Sequence, residues 1–82
     1  MTLRHIVIGR LSQLTRLTNT RQGNPMWDLK INGAWSYRTK PDTQAAHNIL
    51  PKHEDRRVYL ITEGDETGEY VVGFELLGAR NA

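Results

Sequence analysis

Two aromatic residues, Trp35 and Tyr37, stand two positions apart in the stretch KINGAWSYRT, among several basic residues. Exposed rings on a strand provide a surface on which nucleic-acid bases stack, and neighbouring lysine and arginine side chains contact the phosphates. Aromatic residues and arginine also dominate the hot spots of protein interfaces. The residues of this candidate nucleic-acid or partner-binding site are Arg10, Arg16, Arg21, Lys30, Trp35, Tyr37, Arg38 and Lys40.

The charge of the chain is divided unevenly along its length. Residues 1 to 40 contain seven Lys or Arg residues and one acidic residue, Asp28, which gives a net charge of +6. Residues 41 to 82 contain four Lys or Arg residues and eight carboxylates, which gives −4. This division is typical of a protein with a positive face opposite a negative one. The alternative is that both halves only solvate their own strands.

No combination of residues indicates catalysis or metal binding. Ser12 and Ser36 fall in predicted strands, outside any nucleophile-elbow context. The three histidines are scattered, and adjacent side chains in the HED stretch at residues 53 to 55 point apart. The acidic segment EGDETGE, at residues 63 to 69, lacks the spacing of an EF-hand calcium loop. We therefore expect a protein that is not an enzyme and that carries no cofactor or metal.

Length and composition predict one small domain. The 82 residues form a single domain over 1–82, with a folded core over 3–77 and a frayed tail over 78–82. The chain has no cysteine, so neither a disulfide nor a thiolate metal site stabilises it, which suits the reducing cytoplasm. No apolar run approaches the roughly 20 residues of a membrane-spanning helix. We therefore expect a cytoplasmic protein without a membrane partner.

The elements that position the candidate site begin with a long strand from Leu3 to Thr18. Its apolar residues do not keep to one parity, as those of a plain half-buried strand do. Gly9 and a bulge near Ser12 and Gln13 account for this, because they bend a strand and change the face that meets the core. A bent first strand that pairs with two neighbours is what a small barrel requires.

A second and a third strand follow the polar loop NTRQGNP at residues 19 to 25. MWDLKI, at residues 26 to 31, alternates apolar and polar side chains and predicts a strand with one buried face. Asn-Gly at residues 32 and 33 is a strong hairpin signal, and AWSYRT is the returning strand.

The rest of the chain predicts a short helix and two strands. Pro41 ends the third strand, and TQAAHNIL then forms a helix that presents Ala46, Ile49 and Leu50 to the core. VYLIT and EYVVGFELL predict the last two strands, joined by the acidic turn EGDETG. The final strand is expected to place four residues on one face: Tyr70, Val72, Phe74 and Leu76.

The predicted order of elements is β-β-β-α-β-β, which is the layout of the OB-fold. The expected fold class is therefore mainly β: a small five-stranded, partly open, OB-like barrel with one short helix. An SH3-like barrel is the alternative, because it has the same number of strands. The helix between the third and fourth strands favours the OB-like arrangement.

The hairpin at residues 32 and 33 decides the orientation of the two rings. With a two-residue loop, Trp35 and Tyr37 lie on the outer face together with Lys30. A three-residue loop shifts the register by one residue. Ile31 then faces Trp35 and Leu29 faces Tyr37, which places both rings in the core. The Asn-Gly dipeptide favours the first register, and the usual burial of aromatic residues favours the second.

A pattern of turn-forming and aromatic residues runs from residue 14 to residue 48. Its members are Leu14, Leu17, Asn19, Gly23, Asn24, Pro25, Trp27, Thr39 and Asp42. In these positions the chain resembles small uncharacterised proteins encoded by actinobacterial phages and their hosts. The resemblance implies a phage-type protein that acts by binding a host or phage partner in the host cytoplasm.

Two functions are compatible with these observations. The first is a non-catalytic module that binds nucleic acid, single-stranded or by its backbone, through the basic first half, Trp35 and Tyr37. The second is an interaction module that binds and modulates a host protein through the same rings. A homodimer formed through this surface is a variant of the second. Salt distinguishes them, because phosphate contacts make affinity fall steeply as salt rises.

Overall fold

A computed structural model describes residues 3 to 78 of the chain, so residues 79 to 82 of the expected tail lie outside the described part. The element order confirms the predicted β-β-β-α-β-β layout. The elements are β1 (Leu3–Leu17), β2 (Met26–Ile31), β3 (Trp35–Thr39), α1 (Gln44–Asn48), a 3-10 turn (Pro51–His53), β4 (Arg57–Asp65) and β5 (Gly68–Leu76).

The five strands form a closed barrel in the order β1-β2-β3-β5-β4, with β4 returning to β1. All neighbours are antiparallel except β3 and β5, which are parallel. That parallel contact is short and consists of Arg38 paired with Tyr70 and Thr39 paired with Val71. The fold is therefore the mainly β, OB-like barrel with one short helix that the sequence predicts, except that the barrel is closed rather than partly open.

β1 joins the two halves of the barrel because it pairs with two different strands. Residues 3 to 10 pair with β4, and residues 11 to 17 pair with β2. The register shifts between Leu11 and Gln13, which confirms the predicted bulge at Ser12. The Ser12 hydroxyl donates to the Lys30 carbonyl (2.9 Å) and accepts from the Gly33 amide (2.8 Å). These bonds fix the bulge against the β2–β3 hairpin.

Gly9 lies at the point where β1 passes from β4 to β2, and it is buried. A Cβ atom at this position would lie 2.6 Å from the Ile31 side chain and 2.7 Å from that of Asn32. Real Cβ atoms do not approach neighbours so closely, so only glycine lets the hairpin pack on β1 here.

We expect Gly9→Ala to lower the free energy of unfolding by about 1 to 3 kcal/mol, the usual cost of overpacking. Urea denaturation followed by circular dichroism measures this difference. Gly64→Ala is the matched control, because a Cβ there would lie 3.8 Å from its nearest neighbours, an ordinary contact. Equal stabilities of the two variants would contradict the close approach at Gly9.

The core occupies the interior of the barrel and the interface between the barrel and α1. Its buried apolar residues are Leu11, Trp27, Leu29, Ile31, Ala45, Ala46, Ile49, Val58, Leu60 and Val71. The Trp27 indole N–H donates to the Ala46 carbonyl at 3.0 Å, which ties the helix to β2. A hydrogen-bonded indole can be buried without the cost of an unsatisfied donor.

α1 is shorter than predicted and spans five residues, Gln44–Asn48. The expected core residues Ala46 and Ile49 are buried, but Leu50 is 43% exposed. Leu50 precedes a proline, and this position favours an extended backbone over a helical one, so the helix ends before it. Within residues 3 to 78, no helix is long and apolar enough to cross a membrane.

The predicted face of β5 is correct for Phe74 and Leu76, which pack against the core, but not for Tyr70. Ile61 pairs with Gly73 but Thr62 pairs with Val71, so Val72 is an additional residue on β5. This bulge reverses the parity of the β5 residues that precede it. Val71 is consequently buried, whereas Tyr70 lies on the outer face and contributes to the groove described below.

His53 is a buried histidine in the 3-10 turn after α1. Its ring stacks on Phe74 with 5.4 Å between centroids, and its Nδ1 accepts a hydrogen bond from the Leu50 amide at 3.1 Å. Burial, and then the charges of Lys52 and Arg56, lower the pKa of His53. A nitrogen that accepts a hydrogen bond must be unprotonated, so the fold holds this ring neutral.

We expect the free energy of unfolding to fall as the pH drops below 6.5, the ordinary pKa of histidine, towards the lower pKa of folded His53. In this interval the unfolded chain binds the proton more readily than the folded protein, so acid favours unfolding. Urea denaturation between about pH 5 and pH 7.5 measures the slope. His53→Gln, which does not titrate, should flatten the slope, and an unchanged slope would exclude His53 as its source.

Candidate functional site

The β2–β3 hairpin combines a tight turn with one additional residue. Asn32 (φ 55°) and Gly33 (φ 71°) both have the positive φ that a type I′ turn requires. The Ala34 amide donates to the Ile31 carbonyl at 3.0 Å, which closes this turn. The ladder then begins with Ile31 opposite Trp35, leaving Ala34 as an additional residue. The register is therefore that of the three-residue loop.

This register places Trp35 and Tyr37 on the parity of the core residues Ile31 and Leu29. Tyr37 is half-buried and packs against the core, as expected. Trp35 is 62% exposed, so the expectation that this register buries both rings is wrong for Trp35. The reason is that, within the described chain, β3 pairs with β5 only from Arg38 onward. Its first residues therefore lack a neighbouring strand on that side.

An open groove of about 490 Å³ runs over β2 and β3, and we call it the β2–β3 groove. The second half of β1 extends its floor, and the start of β5 forms a wall. The residues that line it are Gln13, Thr15, Asp28, Leu29, Lys30, Ser36, Tyr37, Arg38, Gly68, Glu69 and Tyr70. The groove thus offers two tyrosines together with neutral, acidic and basic polar side chains.

One charged pair and one lysine determine the electrostatics of the groove floor. Arg38 donates from Nε to Asp28 Oδ1 (2.8 Å) and from a terminal nitrogen to Oδ2 (3.2 Å). This two-bond contact raises the pKa of Arg38. Lys30 lies on the same face, opposite Ser36, and forms no ion pair within residues 3 to 78. Lys30 is therefore the cation that remains available to an anion in the groove.

A carboxylate at the wall of the groove is held in its charged form. Glu69 accepts hydrogen bonds from the buried Thr62 hydroxyl and from His5, whose Nδ1 lies 3.0 Å away. Both bonds lower the pKa of Glu69, and the bond from Thr62 has the larger effect. Burial and the charge of Glu69 raise the pKa of Tyr37. The wall is thus negative, and the Tyr37 phenol keeps its proton at neutral pH.

Ion pairs cancel part of the charge division of the sequence. Arg10 pairs with Asp55 at 2.7 Å, and Lys40 pairs with Glu63 at 3.4 Å. Arg4 reaches the same Glu63 at 2.7 Å. Cations of the first half are therefore neutralised by carboxylates of the second half, because the barrel brings distant strands together.

Arg16 and Arg21 lie outside the groove. The Arg16 guanidinium lies over the Trp27 ring, 5.4 Å from its centroid. Arg21 is exposed in the loop between β1 and β2. Asp42 accepts hydrogen bonds from Thr20 and Asn24 of this loop, each at 2.7 Å, which ties the loop to the segment after β3.

The structure brings together three of the eight predicted site residues in the groove: Lys30, Tyr37 and Arg38. The five that do not line it are Arg10, Arg16, Arg21, Trp35 and Lys40. Tyr70 and Glu69 line the groove but are not among the predicted site residues, because nothing local in the sequence indicates the bulge on β5. The acidic segment EGDETGE at residues 63 to 69 contains Glu69 and indicates carboxylates at the β4–β5 connection, but not that Glu69 lies beside β3.

Comparisons of the chain with protein-family models, with curated proteins and with solved structures give no match. Among the described residues, no group of three or more His, Cys, Asp or Glu side chains is placed to hold a metal ion. The ligand of the groove is therefore inferred from the geometry and charges of the groove.

We expect Thr62→Val to raise the pKa of Glu69 towards its ordinary value of 4.5, because the variant lacks the hydroxyl donor. Carboxyl-carbon NMR over a pH titration measures this change. Thr67→Val is the matched control, since the Thr67 hydroxyl donates to Asp65 instead and lowers the pKa of that residue. An unchanged Glu69 titration in Thr62→Val would show that this hydrogen bond does not hold the charge.

Proposed function

We propose that this protein is a non-catalytic module that binds a short single-stranded nucleic-acid segment in the β2–β3 groove. The observation that carries the proposal is the groove itself, on the strands that bind oligonucleotides in OB-folds. Tyr37 and Tyr70 stand in it with Lys30 and Arg38. Aromatic rings that stack bases, next to cations that contact phosphates, are the usual components of such a site.

The charges of the groove favour a ligand that presents its bases rather than its phosphates. Asp28 and Glu69 line the groove and repel phosphate, and Asp28 already neutralises Arg38. Two cations line the groove among the described residues, and Lys30 is the one that has no carboxylate partner. Stacking then supplies most of the affinity, and few phosphates are neutralised. The proposal therefore implies weak binding with a shallow dependence on salt, rather than the steep dependence expected from the sequence, so salt alone no longer separates nucleic acid from a protein partner.

The experiment measures the affinity of fluorescently labelled octathymidylate by anisotropy, over roughly 20 to 200 mM salt. We expect the slope of log K against log salt to be no steeper than about −1.5, since each phosphate contact on a single strand contributes about −0.7. Lys30→Gln should make the slope shallower by about 0.7. The matched control is Lys52→Gln, because Lys52 is an exposed lysine outside the groove lining.

Two aromatic variants complete this experiment. Tyr70→Ala should weaken binding at least about fivefold, because stacking contributes about 1 to 3 kcal/mol per base. Trp35→Ala should leave the affinity unchanged, since Trp35 does not line the groove. Absence of any anisotropy change at the lowest salt would exclude the proposal. A loss in Trp35→Ala with none in Tyr70→Ala would place the ligand outside the groove.

A protein partner is the second candidate function, and the exposure of Trp35 favours it. Trp35 is exposed and lies outside the groove. Tryptophan is enriched among the residues that contribute most to binding at protein interfaces. This second function fits the phage-type protein implied by the sequence resemblance, acting on a host protein in the host cytoplasm. In that case Trp35→Ala weakens the protein complex and leaves octathymidylate binding intact.

A further inference from the structure

The edge of β1 that faces away from β2 loses its partner strand halfway along. β4 pairs with β1 up to Arg10, and the Leu11 backbone then bonds to Arg56 and Asp55 at 2.8 and 2.6 Å. Beyond Leu11, within residues 3 to 78, no strand pairs with this edge, although β2 continues along the other edge to Leu17. An edge without a partner exposes backbone donors and acceptors to a further strand.

The first backbone amide along this open edge is already bonded to a side chain. The Leu14 amide donates to Glu54 Oε2 at 3.2 Å, where the carbonyl of an added strand would accept. Backbone groups of alternate residues in a strand point to the same edge, so those of Arg16 share this edge with Leu14. The edge therefore offers Arg16 as the next pairing position for an extended chain.

A pocket of about 410 Å³ lies beside the open edge. Leu14, Trp27 and Pro51 provide its apolar surface, and Arg16 and Glu54 provide its charges. The volume falls in the range of small-ligand pockets, about 300 to 1,000 Å³, and is ample for one apolar side chain. An edge strand beside an apolar pocket is the arrangement used in β-strand addition, where backbone bonds bind the peptide and pockets select its side chains.

Arg16 determines which ligand charge is complementary to this pocket. Its guanidinium lies over Trp27 and donates to the Leu17 carbonyl (2.9 Å) and to Asn19 Oδ1 (2.6 Å). Within the described chain it has no carboxylate partner, in contrast to Arg10. Held by neutral acceptors, Arg16 is complementary to an acidic side chain on the partner.

We propose that the edge at residues 14 to 17 binds an extended peptide of another protein, with an apolar side chain next to an acidic one. The apolar side chain enters the pocket against Trp27 and Pro51, and the carboxylate reaches Arg16. The peptide backbone pairs with the amide and carbonyl of Arg16. A nucleic acid suits this edge less well, because its phosphates cannot donate to the Arg16 carbonyl and face the Glu54 carboxylate.

The experiment titrates ¹⁵N-labelled protein with blocked heptapeptides of alternating threonine and valine that carry a central leucine and one neighbouring glutamate. We expect amide shifts at residues 14 to 17 and a shift of the Trp27 indole N–H. Lysine in place of the glutamate should weaken binding roughly two- to fivefold, as for an exposed ion pair. Serine in place of the leucine should weaken it about tenfold or more, through lost apolar burial.

Protein variants separate the charge contact from the backbone contact. Arg16→Gln should lose the preference for the glutamate peptide, because Glu54 is then the charged residue among those that line the pocket. The matched control Arg21→Gln should keep this preference. A peptide N-methylated at the residue opposite Arg16 should bind roughly two- to tenfold more weakly. The proposal is overturned if no peptide shifts residues 14 to 17 at millimolar concentration. It is also overturned if octathymidylate competes for these resonances, which would assign the edge to nucleic acid.

Discussion

The structure depends on one constraint: a single 15-residue strand, β1, must serve two partners. It pairs with β4 over its first half and with β2 over its second, and a strand can make this change only if it bends. Gly9 gives the hairpin the space to pack against the strand, and the Ser12 bulge shifts the register. Both proposed surfaces follow from this bend, because the second half of β1 extends the groove floor and also leaves an edge without a partner strand.

Closure of the barrel also determines how charge is distributed. Ion pairs join Arg10 to Asp55 and Lys40 to Glu63, across strands that are far apart in the sequence. Exposed pairs of this kind add little to stability, typically less than about 1 kcal/mol each. They also neutralise Arg10 and Lys40, two of the cations in the basic first half of the sequence. The cations outside ion pairs that adjoin the two proposed surfaces are Lys30 and Arg16, one for each surface.

The two proposed surfaces differ in the chemistry that they offer. The β2–β3 groove is lined by two tyrosines and by polar side chains, and we propose stacked bases as its ligand. The open edge presents backbone groups, an apolar pocket and Arg16, which suit an extended peptide. They use different faces of the same strand half, with Gln13 and Thr15 at the groove and Leu14 and Arg16 at the open edge. Occupation of one therefore does not require residues that line the other, since no residue lines both cavities.

Local chemistry determined what could be read from the sequence alone: the order of elements, the bend of β1, the turn at Asn32-Gly33 and the limits of β2. Glycine, proline and apolar alternation act within a few residues, so they are visible without the fold. The exposure of Trp35, the outward orientation of Tyr70 and the ion pairs were decided by contacts between distant strands. Ala34 and Val72 are single additional residues in their ladders, and nothing local distinguishes such a residue from its neighbours. Its position is set only when one strand is matched against another, and that match selects the side chains that meet a ligand.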